Sequence, residues 1–150
     1  MAKAKGANLL IIEDDRDLVS SMRVIFEANN YKVRAAYNGK EGYEEIQKKA
    51  PDLIILDVMM ATDTEGFDLA YQLKDKPEYR NIPIIMVTGF TLKMAQVGPE
   101  RWQHILGEDW PAAKMFEKPI DPDELLASVQ ALLKETRKAG LRPAGSGIPR

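Results

Sequence analysis

The sequence contains no cysteine, which excludes disulfides, thiolate catalysis and the usual structural zinc sites. Histidine is almost as scarce. His104 is the single one, and with no ligand-spaced cysteines or carboxylates around it, it is assigned no chemistry. Long apolar runs are missing too: the stretches 53–56 and 84–87 fall far short of the roughly 20 residues that span a bilayer. Neither sign of charge dominates. There are 21 basic and 23 acidic residues, net −2 and interleaved along the chain, so there is neither the basic stripe of a nucleic-acid binder nor an acidic tail. The N-terminus lacks the apolar core of a signal peptide. Together these absences predict a cytoplasmic protein that neither binds nucleic acid directly nor inserts into a membrane.

A chain of 150 residues, 45% hydrophobic and 29% charged, fits one globular domain with a single core. After a polar extension over residues 1–7, Asn8 to Ile12 form an apolar run ending in acid. Leu18, Val19, Met22, Ile25 and Phe26 then recur at helical spacing. The same strand-then-helix unit repeats. Tyr31 to Tyr37 alternate in part, as an edge strand does, and a polar helix follows, closed by Pro51. Asp52 to Val58 are apolar on both faces, the pattern of a central parallel strand covered by helices on both sides. A helix around Phe67 to Leu73, stopped by Pro77, leads to a fourth strand between Ile82 and Phe90. Lys114 to Pro119 make the fifth strand. Asp121 as N-cap, Pro122 at the first helical position and Glu124 at the third announce the last helix. The domain therefore spans 8–138, with an insert over about 91–113. The Gly- and Pro-rich tail 139–150 is expected to be disordered, and no output domain is expected after it.

Strict alternation of strands and helices predicts an α/β fold: a doubly wound, five-stranded parallel sheet with helices on both faces. In such sheets ligands bind beyond the C-terminal strand ends, where the strand order reverses. That rim collects polar groups from separate segments: Asp14 and Asp15 at the end of the first strand, Asp57 of the third, Thr88 of the fourth and Lys118 of the fifth. Crowded carboxylates tolerate one another when they share a hard divalent cation such as Mg²⁺. A carboxylate also attacks phosphorus to give an acyl phosphate, leaving charge on three equatorial oxygens to be neutralised. The set fits phosphoryl transfer. Asp15 or Asp17 could instead simply cap the first helix, since Asp is a leading N-cap residue, but four segments converging on one rim favour the functional role.

The segments "IIEDD", "LIILDVMM", "IIMVTG" and "FEKP" resemble the four signature segments of bacterial two-component response-regulator receiver domains, over about residues 8–135. The resemblance implies a flavodoxin-like sheet of order 2-1-3-4-5 in a stand-alone, single-domain regulator. It also implies that Asp57 is phosphorylated by a sensor histidine kinase or phosphotransfer protein. Asp15, Asp57 and the Met59 carbonyl would hold Mg²⁺ (or Mn²⁺) directly, and Asp14 through water. Lys118 would pair with Asp57, Thr88 would hydrogen-bond the phosphoryl group, and the Lys118–Pro119 bond would be cis. An unidentified downstream protein completes the implied partners, and whether the chain forms a homodimer is left open by the sequence. Catalysis would be limited to the protein's own phosphorylation and dephosphorylation.

Three departures from that pattern stand out. Met115 occupies the position where receivers carry a switching Tyr or Phe, and Phe116 beside it faces the opposite side of the strand. Ala61 replaces a common proline. The 91–113 insert carries Trp102, Trp110, Pro99 and Pro111, which suit either packing onto the domain or a partner surface. Met59 and Phe90 are apolar where polar side chains could orient water, which predicts slow self-dephosphorylation.

Overall fold

The computed structural model describes residues 6–57, 65–88 and 113–138. Elements follow in the order β1 (Asn8–Ile12), α1 (Arg16–Ala28), β2 (Lys32–Ala36), α2 (Gly39–Lys48), β3 (Leu53–Asp57), α3 (Glu65–Lys74), β4 (Ile84–Thr88), β5 (Lys114–Glu117) and α4 (Pro122–Lys138). All strand pairs are parallel, and the sheet runs β2-β1-β3-β4-β5. Both the fold class and the strand order match the sequence expectation. The strand order reverses between β1 and β3, so the crevice at their C-terminal ends is the switch point.

Side-chain alternation divides the core in two. Leu9, Ile11, Leu53, Ile55, Ile85 and Val87 face α1 and α4, where they meet Val19, Met22, Phe26, Leu125, Val129 and Leu133. Leu10, Ile12, Ile54, Leu56, Ile84 and Met86 face α2 and α3, and meet Ile46, Leu69, Ala70 and Leu73. Every residue of β3 is buried, which explains its unbroken apolar run: with helices on both faces no position is left for a polar residue except the strand end. β5 carries one residue to each half-core, Met115 to the α2/α3 side and Phe116 to the α1/α4 side, the opposition that strand geometry predicts.

The helix ends are set by local chemistry. Asp15 caps α1, its Oδ1 accepting from the Asp17 and Leu18 N–H groups at 3.0 and 3.1 Å. The same helix ends in a Schellman motif: Asn30 takes φ +73°, its N–H donates to Glu27 O, and Tyr31 N–H donates to Phe26 O. The motif's usual apolar contact is the edge-on packing of Phe26 on Tyr31, ring centres 6.3 Å apart. Asp121 caps α4 as its sequence signature predicts, accepting from Asp123 N–H at 2.9 Å and Glu124 N–H at 3.4 Å. Residues 58–64, which include Met59 and Ala61, and the whole of Phe90 and the 91–112 stretch with its tryptophans and His104, lie outside the described residues, as do 1–5 and the tail 139–150.

Candidate functional site

Strand register assembles the site. Ile12 lies opposite Leu56, which brings Glu13 level with Asp57. Asp57 pairs with Val87, so Thr88 stands one step beyond it, and Thr88 pairs with Glu117, so Lys118 follows one step beyond that. Each polar residue is thus the first position at which its strand leaves the apolar sheet. The Thr88 side chain lies outside the described residues.

Asp57 is only 2% exposed, an expensive place for a carboxylate unless charges and hydrogen bonds compensate. Lys118 supplies the charge. Its Nζ lies 3.6 Å from Asp57 Oδ2 and 3.1 Å from Glu13 Oε1, so the ammonium bridges two buried carboxylates. The bridge stands at the cis Lys118–Pro119 peptide.

Glu13 is a site residue that the sequence assignment passed over. It is as buried as Asp57 and both of its oxygens are engaged: Oε1 by Lys118, Oε2 by the Asp15 backbone N–H at 3.1 Å. Burial first, and then the neighbouring Asp57 carboxylate, push the Glu13 pKa up to about 7. Near neutral pH it therefore holds a proton for much of the time and shares it with Asp57. Burial alone would lower the Lys118 pKa, but Asp57 and then Glu13 outweigh it and raise the ammonium above its ordinary range. Lys118 stays charged throughout physiological pH.

The carboxylates of Glu13, Asp14 and Asp57 place one oxygen each within 4.8 Å of one another. Of the acids expected at this rim, Asp14 groups with Asp57 and with Glu13, while the Asp15 carboxylate accepts from the α1 N-terminus. The signal was available: β1 ends at Ile12, so the first acids beyond it are Glu13 and Asp14, and an Asp followed by helix-starting residues is an N-cap pattern. Three carboxylates this close, two of them buried, with one proton drawn in to relieve repulsion, could hold a hard, oxygen-seeking divalent cation.

A family model for the response regulator receiver domain matches residues 9–130. Response regulator MprA of Mycobacterium ulcerans is 32% identical over 132 residues, which cover 88% of this chain and 52% of the relative. Response regulator ArlR of Staphylococcus saprophyticus is 29% identical over 133 residues, 89% of this chain and 55% of the relative. The chain thus spans about half the length of these curated relatives. Among solved structures, a CheY-like response regulator receiver domain protein from Methanospirillum hungatei superposes with a TM-score of 0.75 at 25% identity, covering 91% of this chain and 100% of that one. A response regulator from Chloroflexus aurantiacus gives 0.70 at 27% identity, covering 87% and 99%.

Proposed function

The chain belongs to the response regulator receiver domain family, and from that premise we propose that Asp57 accepts a phosphoryl group from a histidine of a sensor kinase or phosphotransfer protein. The observation that carries this is the Asp57 carboxylate itself: 2% exposed at the end of β3, 3.6 Å from Lys118 Nζ and grouped with two further acids.

An Asp57 oxygen donates its electron pair to phosphorus as the P–N bond of the phosphohistidine breaks. The imidazole nitrogen leaves with that bond's electrons and takes up a proton. Lys118 is placed to follow the charge: the ammonium that neutralises two carboxylates before transfer stands beside the phosphoryl oxygens after it. Glu13 keeps Lys118 in reach, and Thr88, at the end of β4 and one step beyond Asp57 in register, would offer its hydroxyl to the phosphoryl group. Asp14 and Asp57, with Glu13 beside them and the Met59 carbonyl from the following loop, would hold Mg²⁺. When bound, the cation offsets the carboxylate repulsion and the charge on the phosphoryl oxygens. Asp15 is left out of this set because its carboxylate caps α1.

Phosphorylation at Asp57 then biases two conformations, and a downstream protein that binds one of them better completes the signal. Met59 and Phe90, two residues beyond Asp57 and Thr88 in the sequence, are apolar where polar side chains could orient water, so slow hydrolysis of the acyl phosphate is expected. Incubation with Mg²⁺ and acetyl phosphate, followed by intact mass, tests the reading. A single phosphoryl adduct that disappears in Asp57→Asn is expected. An adduct that survives this substitution, or turnover without any adduct, overturns it. Rapid adduct decay in the unmodified protein would overturn the claim of a long lifetime alone.

A further inference from the structure

The acidic cluster has a second cation beside it that does not join it. Arg16 opens α1, two residues after Asp14, at the helix end where the macrodipole disfavours positive charge. Glu13, Asp14, Asp15 and Asp17 all lie within three residues of it along the chain. Among the described residues, however, Arg16 enters no ion pair. Its guanidinium carbon lies instead 3.8 Å from the centre of the Tyr37 ring. Tyr37 is fixed from two directions. Its half-buried side chain packs on the α1/α4 half-core, and its backbone N–H donates to Glu41 Oε1 at 3.0 Å in the turn that caps α2.

An arginine fork matches a carboxylate well enough to occupy both of its oxygens. A guanidinium that reached Asp14 would cover the most exposed member of the cluster and cancel the charge that attracts a divalent cation. We propose that Tyr37 is a positioning residue for the cation site: by holding Arg16 over its ring it keeps the guanidinium off Asp14 and leaves that carboxylate to the metal. The inference rests on the reading of Glu13, Asp14 and Asp57 as the Mg²⁺ site. It gives the stack between β2 and α1 a role that no direct contact with the cluster would reveal.

Calorimetric titration of the metal-free protein with Mg²⁺ at low ionic strength tests it. Loss of a weak, exposed cation–π contact shifts the Arg16 population by a small factor, so Tyr37→Leu is expected to bind Mg²⁺ about two- to fivefold more weakly. Tyr37→Phe, which keeps the ring face, binds as the unmodified protein does. Adding Arg16→Gln to Tyr37→Leu restores the affinity, and 0.5 M salt, on the order of several times physiological ionic strength, narrows the difference. A second series avoids the half-buried ring: Arg16 is exposed, and Arg16→Lys, which keeps the charge but stacks less well, weakens binding while Arg16→Gln does not. Equal affinities for the unmodified protein, Tyr37→Leu and Arg16→Lys, or a double variant as weak as Tyr37→Leu alone, overturn the proposal and leave the cation site standing. No Mg²⁺ binding by the unmodified protein overturns the site and the proposal together.

Discussion

Glu13 shows how a single side chain ties stability to pH. Its pKa in the folded protein is raised from 4.5 to about 7, so the folded state holds the proton more tightly than the unfolded state between those values. The contribution is complete below about pH 4.5 and is lost as pH rises through about 7. Lys118, raised above 10.5, contributes below that value and loses its contribution only at higher pH. The urea midpoint of the Mg²⁺-free protein is expected to fall between pH 5.5 and 8, with the slope flattened in Glu13→Gln. Mg²⁺ competes with the same proton, so its apparent affinity should climb through this range, by up to about tenfold per pH unit below the Glu13 pKa, and level off above it. Which acids of the rim group together is hard to read from the sequence. In "EDD" three acids stand in a row, and composition cannot tell a metal-facing carboxylate from a capping one. That depends on where the strand stops, and Ile12 is its last residue.

Elements were far more legible than their ends. The apolar run of β3, the partial alternation of β2 and the Asp-Pro start of α4 each announce their structure, because burial on two faces, burial on one, and capping each demand a distinct residue pattern. Closeness between elements is harder to read. A Cβ on Gly42 of α2 would stand 2.6 Å from Ile12 Cδ1 and 3.0 Å from its Cγ1, and Ile12 is fully buried. Helix propensity favours Ala over Gly by about 1 kcal/mol, but overpacking costs about 1–3 kcal/mol. Gly42→Ala should therefore destabilise the fold on balance, and adding Ile12→Val, which removes the nearest atom, should recover part of the loss in chemical denaturation. The α1 C-terminus makes the opposite test of a backbone demand. At Asn30, φ +73°, replacement by Ala should cost about 1 kcal/mol, whereas Gly should be nearly neutral.

At the scale of the whole molecule, ligand binding and fold stability are linked. If Mg²⁺ binds the folded cluster alone, 10 mM Mg²⁺, a roughly saturating amount for a site of millimolar or tighter affinity, should raise the denaturation midpoint, and Asp57→Asn should largely remove that rise. What could not be read from the sequence at this scale is the joint geometry of the rim. The register that sets Glu13 level with Asp57, and Lys118 one step past Glu117 beside Thr88, comes from three separate ladders acting together.

Those ladders are not equally stiff. β3 is held by β1 on one side and β4 on the other, whereas β5, four residues long, is held among the described residues by β4 alone. The β5 edge is therefore expected to open more readily than the centre, and amides of Lys114–Glu117 should exchange with deuterium well before those of Leu53–Asp57. Lys118, the cation paired with the proposed acceptor, follows the edge strand, while Asp57 ends the central one. A force between them displaces β5 before β3, and since Met115 and Phe116 are seated in different half-cores, a single tug on that strand is felt on both faces of the protein at once.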